Sequence, residues 1–102
     1  AVGATNATLD KAQAKRVAMM AHDGMARAIR PVHTPFDGDT VFALSTTRMA
    51  LPQPAQRSVA RIGAMAADCL TRAIGRAVFA ANALGDIPSY RQVHADAFAD
   101  KV

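Results

Sequence analysis

A chain of 102 residues allows one domain, residues 1–102, and cannot cover all of its own surface. Hydrophobic residues make up 51% and charged residues 20%, which excludes disorder by composition. The net charge is +4, but Lys and Arg form no run and are not interleaved with aromatics, which argues against a nucleic-acid-binding role.

Residues 1–6 (AVGATN) have the pattern of a strand entered midway. Thr8 suits a helix N-cap, with Asp10 in the first turn where a negative charge meets the helix dipole. A helix is predicted over residues 9–29. Lys11, Lys15, Arg16, His22, Asp23, Arg27 and Arg30 fall on its polar side, and Ala14, Val17, Ala21, Gly24, Met25 and Ala28 on the other. Gly24 in that apolar stripe weakens the helix by about 1 kcal/mol relative to Ala. Its use there is close approach to a neighbouring element. Pro31 ends the helix.

A loop over residues 31–39 (PVHTPFDGD) leads into a strand predicted over residues 40–46 (TVFALST). The run is nearly all apolar, as in a strand covered on both faces. After a second loop, residues 47–56, a helix is predicted over residues 57–80. Val59, Ile62, Ala66, Cys69, Ala73 and Ala77 form its inward stripe, Cys69 is a packed thiol, and Asp68 and Arg72 pair at i,i+4. A single cysteine excludes an internal disulfide. Gly85 is a stop signal, and residues 86–102 add one short helical turn over the surface.

The order strand, helix, strand, helix defines an α/β (or α+β) layer arrangement. Two strands make a poor sheet alone, and a core built mainly from alanine buries little area per residue. Both features point to a core shared with another chain or with another part of a precursor. No apolar stretch is long enough to cross a membrane.

Polar function concentrates in residues 33–40 (HTPFDGDT). Asp37 and Asp39 flank a glycine at the entrance to the second strand. Residues two apart on an extended segment point the same way, so both carboxylates can aim at one place. Such a pair can share a proton, or orient and deprotonate a nucleophile. Two other readings stay open. Asp-Gly-Asp before a strand is often a turn in which Asp accepts backbone hydrogen bonds. His33, Asp37 and Asp39 also have ligand chemistry for a divalent ion, although no further acidic cluster completes a shell. His22 and His94 read as surface or partly buried structural histidines. Asn6-Ala7-Thr8 matches a glycosylation acceptor by chance.

Several of these runs occur together in one known family. ATNA at residues 4–7, KAQAKR at 11–16, MAHDGMARAIRP at 20–31 and HTPFDGDTVFALST at 33–46 resemble the DmpA-type aminopeptidases, which include β-peptidyl aminopeptidases and the nylon-oligomer hydrolase. The resemblance is specific from Ala1 to about Leu51. It is looser in the second helix, where the alanine-rich Asp-Cys pattern around residues 66–73 matches.

The resemblance implies a precursor that cuts itself into a large α subunit and a small β subunit, with residues 1–102 forming most of the β subunit. It implies a four-layer α/β/β/α sandwich completed by the α subunit, and assembly of αβ units into a larger homo-oligomer. The nucleophile is a Ser or Thr exposed by the cut. Asp37 and Asp39 carry over as the acidic partners that orient and activate its hydroxyl, and the Asp-Gly-Asp form is that of the nylon-oligomer branch. This chain departs from the pattern in lacking the nucleophile, which belongs just upstream of Ala1. Thr5 falls inside the strand and does not replace it.

The expected function is therefore hydrolysis of a peptide or amide substrate near a free amino terminus, in the cytoplasm, with no metal or organic cofactor. The rival is a non-catalytic helical module that binds a partner protein through alanine-rich faces.

Overall fold

The computed structural model describes residues 1–98. Strand β1 (Val2–Ala7) leads into helix α1 (Lys11–Ala28), strand β2 (Phe42–Met49), helix α2 (Ala55–Ala80) and a short helix α3 (Tyr90–Val93), with a 3₁₀ turn at Ala95–Phe98. The fold is mixed α/β. β1 and β2 are parallel, with Val2 opposite Phe42 and Thr5 opposite Ser45. Parallel neighbours need a long crossover, and α1 supplies it. A tail of two short turns replaces the single predicted one, and the part at residues 99–102 lies outside the described residues.

The start of α1 is set by Asp10, not by Thr8. Asp10 Oδ1 accepts from the Gln13 amide at 2.7 Å, and Gln13 Oε1 accepts from the Asp10 amide at 2.9 Å. This reciprocal box needs an acceptor side chain three residues after the cap, and only Asp10 has Gln13 at that spacing. The Thr8 hydroxyl donates instead to the Met49 carbonyl at 2.9 Å. Most of the inward stripe of α1 holds: Val17, Ala21, Gly24 and Met25 are buried and Ala14 is half-buried, but Ala28, in the last turn, is exposed.

Strand β2 starts two residues later than predicted and runs three residues further, to Met49. Its extent follows its partner. Pairing begins at Val2–Phe42, and an irregularity between Thr5 and Ala7 brings Ala7 opposite Met49. Thr47 takes a left-handed φ of 57° there. The expected cover on both faces is absent among the described residues. The helix side holds Ala43 and Ser45, while on the other side Val2, Phe42 and Leu44 are 71%, 64% and 55% exposed.

Ser45 joins three elements. Its hydroxyl donates to the Ala7 carbonyl at 2.6 Å and accepts from the Leu9 amide at 3.2 Å, closing the end of β1 onto β2 just before α1. Ser45→Ala strips both groups of their partner. We expect a stability loss of about 1–3 kcal/mol, read from the urea midpoint of the full-length protein.

Helix α2 packs on α1 along a line rotated from the predicted stripe. Val59, Gly63 and Ala67 are buried, whereas Cys69, Ala73 and Ala77 are exposed. The contact follows the smallest residues, because they allow the closest approach of two backbones. A Cβ on Gly24 would lie 2.2 Å from the Ala67 carbonyl oxygen, which confirms the close approach expected at that glycine. The Thr71 hydroxyl sits 2.9 Å from the Gly24 carbonyl and 3.0 Å from that of Ala67. Asp68 does not pair with Arg72. It meets Arg27 of α1 at 2.7 Å, because this packing brings the two helices side by side there. The helix ends at Ala80, short of Gly85, which instead makes the tight turn between Leu84 and Ile87 with φ 57°.

The core is small. Leu9, Val17 and Val59 form its centre, with Ile62, Leu51 and several alanines around them. The accessible surface is 7908 Å², against about 5,500 Å² for a compact monomer of this mass. The radius of gyration is 17.1 Å, against about 13 Å for a compact domain of this length. An open apolar cavity of about 360 Å³ lies between the sheet and α2, and Cys69 borders it with Ile62 and Leu70. Among the described residues, no carboxylate lines it.

Candidate active site

The loop between α1 and β2 holds the polar cluster at the N-terminal edge of the sheet. A turn closes where the Asp37 amide donates to the Thr34 carbonyl at 3.2 Å. Asp37 is exposed, and its Oδ1 accepts from the Gly38 amide at 2.9 Å. That bond is the turn chemistry expected of an Asp before Gly. Asp39 lies deeper, with its side chain 14% exposed, and its Oδ2 stands 2.5 Å from His33 Nδ1. A carboxylate can only accept, so the imidazole N–H donates. The two carboxylates thus have separate partners, and among the described residues no hydrogen bond joins them.

His33 has a left-handed φ of 56° and a side chain 43% exposed. Its ring lies 5.4 Å, centroid to centroid, from that of His22 on α1. The sequence offered His33 only as a metal ligand. Among the described residues no three His, Cys, Asp or Glu side chains come together as a metal cage, so the set His33, Asp37 and Asp39 does not close around an ion. What the sequence reading missed is the pairing of His33 with Asp39. The signal was a His six residues before the acid with a turn-forming stretch between. His94 lies in the tail, its ring 4.6 Å from that of Tyr90 and tilted by 43° to it.

The start of β1 runs beside this loop. The Ala1 amino group donates to the Thr40 carbonyl at 2.7 Å, and the Phe42 amide donates to the Ala1 carbonyl at 2.9 Å. The ladder therefore continues from Val2–Phe42 back toward Asp39. Chemically, a half-buried carboxylate held from one side by an imidazole can orient a hydroxyl or take its proton. The loop thus holds an acid–imidazole pair beside the start of a parallel strand.

The sequence model of Peptidase family S58 matches residues 1–89, and the chain belongs to that family. The DmpA-type resemblance is thereby established. An uncharacterized aminopeptidase of Mycobacterium tuberculosis is 46% identical over 104 residues, covering 93% of this chain and 30% of the relative. One from Mycobacterium leprae is 46% identical over 110 residues, covering 99% of this chain and 30% of the relative. A 6-aminohexanoate-oligomer endohydrolase of Kocuria sp. is 40% identical over 48 residues, covering 47% of this chain and 14% of that protein. The chain spans about 30% of the length of the mycobacterial relatives.

Proposed function

We propose that this chain is the small, C-terminal part of a self-cleaving amide hydrolase whose nucleophile is a Ser or Thr hydroxyl just upstream of Ala1. The observation that carries the reading is the register of the sheet. Ala1 already bonds to Thr40, and Val2 stands opposite Phe42. Continued one for one, the second residue before Ala1 falls opposite Asp39. A nucleophile on that stretch of strand has Asp39 as its neighbour across the ladder, with Asp37 two residues further back in the loop.

In this reading the hydroxyl oxygen attacks the amide carbonyl carbon. Its proton passes to the free α-amino group of the same residue, assisted by Asp39 and Asp37, and then to the leaving amine as the C–N bond breaks. Water hydrolyses the acyl-enzyme ester by the reverse transfer and restores the hydroxyl. The oxyanion donors and most of the substrate pocket belong to the α subunit. The names of the relatives support an aminopeptidase or oligoamide substrate, and the Asp37-Gly38-Asp39 form favours the oligoamide branch.

The α subunit is also the partner that completes the four-layer sandwich. About 2,400 Å² of surface in excess of a compact monomer supports this. It exceeds the roughly 800 Å² per partner of a standard interface, and the open face at Val2, Phe42 and Leu44 is apolar. Assembly of αβ units into a homo-oligomer is part of the same proposal.

Intact mass and N-terminal sequencing of the protein expressed from its complete gene test this directly. Two chains are expected, the smaller starting with Ser or Thr within a few residues before Ala1. An active enzyme that stays in one piece, or a new start elsewhere, would sink the reading.

A further inference from the structure

We propose that His33 is a positioning residue for this site, fixing the Asp39 carboxylate so that its free oxygen faces the start of β1. The inference rests on the function proposed above and names a residue that function did not include. Three observations converge on it. His33 Nδ1 engages Asp39 Oδ2 at 2.5 Å, while Asp39 Oδ1 accepts no hydrogen bond among the described residues. That leaves one oxygen held and the other available. The His33 backbone is left-handed at φ 56°, a conformation that costs a residue with a side chain about 1–3 kcal/mol and persists where the surroundings enforce it. Next to His33 lies His22, half-buried on α1, with the two rings 5.4 Å apart. His33 thus has a neighbour on α1 as well as its partner Asp39. A base oriented by a third group is a recurring arrangement in acyl transfer.

A hydrogen bond that merely pins a loop contributes about 0.5–1.5 kcal/mol and has no reason to touch turnover. The two roles separate through paired variants of the full-length protein. His33→Gly removes the side chain and suits the left-handed backbone. His33→Asn also tolerates that backbone and returns an N–H donor near the position of Nδ1. Two rates are read: first-order self-cleavage of the precursor, and turnover of an aminoacyl p-nitroanilide by the processed enzyme.

With His33→Gly, both self-cleavage and kcat are expected to fall about 10- to 100-fold, while KM stays within about threefold of the parent and the melting temperature is retained. His33→Asn recovers most of the loss. If His33→Gly keeps parental rates, if His33→Asn is no better than His33→Gly, or if neither variant folds, His33 is not a positioning residue. Asp39→Asn in the same assays keeps the two claims apart. An active Asp39→Asn overturns the site itself, whereas an inactive Asp39→Asn beside a fully active His33→Gly overturns only the role of His33.

Discussion

Replacing Asp39 by Asn in the full-length protein is expected to lower kcat for amide hydrolysis by about 10²- to 10⁴-fold, the range for removing a positioned acid–base group. The amide keeps the shape of the carboxylate and can still accept one hydrogen bond. It loses the charge that stabilises a developing positive centre on the nucleophile's amine, and it cannot take a proton. Asp39 is the better buried of the two acids and stands next to the strand edge, so its loss is expected to exceed that of Asp37. Asp37→Asn keeps an acceptor for the Gly38 amide, and a loss of roughly tenfold is expected. Initial rates on a short 6-aminohexanoate oligomer and on an aminoacyl p-nitroanilide measure both. A helical interaction module would be indifferent to either change. Parental rates in Asp39→Asn would therefore remove the hydrolytic role of this loop and leave the module as the better account.

The parts of the molecule legible from the sequence are those where one residue type gives an unambiguous signal. In α1 the large apolar residues Val17 and Met25 and the charged residues opposite define a face, and the burial follows it. In α2 the signal is weak, because alanines occur all round the helix and contribute little direction. There the face is selected by shape: Gly63 and Ala67 let α1 approach, and Cys69 is left exposed at the open cavity. Strand β2 ended late because its length depends on the hydrogen bonds that β1 offers through Ala7, a property of the pair rather than of the Thr46-Thr47-Arg48 sequence. The site loop divides in the same way. Asp37 shows the turn behaviour that its own motif suggests. The environment of Asp39 depends on His33, six residues away, whose left-handed backbone has no composition signature.

Gly24→Ala is expected to be the most damaging single-methyl change in the described residues. The added Cβ would meet the Ala67 carbonyl oxygen at 2.2 Å, its carbon at 3.0 Å and the Ala67 Cα at 3.1 Å. All three are backbone atoms, so no rotamer change relieves the clash and the helices must separate. Separation also stretches the Thr71 hydroxyl away from the Gly24 carbonyl and opens the Arg27–Asp68 contact. Overpacking of this kind costs about 1–3 kcal/mol, and the upper end applies because the backbone cannot yield locally. The better helix propensity of Ala offsets about 1 kcal/mol, leaving a net loss of about 2 kcal/mol. Gly63→Ala is the control. Its Cβ would meet Met20 Sδ at 2.2 Å and Cε at 2.7 Å. The sulfur and methyl lie near the end of a flexible side chain that can swing aside, and Met20 Cβ at 3.0 Å asks only for a shift of a few tenths of an ångström, so the propensity gain nearly cancels the cost and the change stays within about 1 kcal/mol. Urea unfolding of the two variants in the full-length protein distinguishes them. Equal destabilisation would mean that the helix interface does not follow the Gly24–Ala67 approach, and the rotated face assigned to α2 would have to be given up.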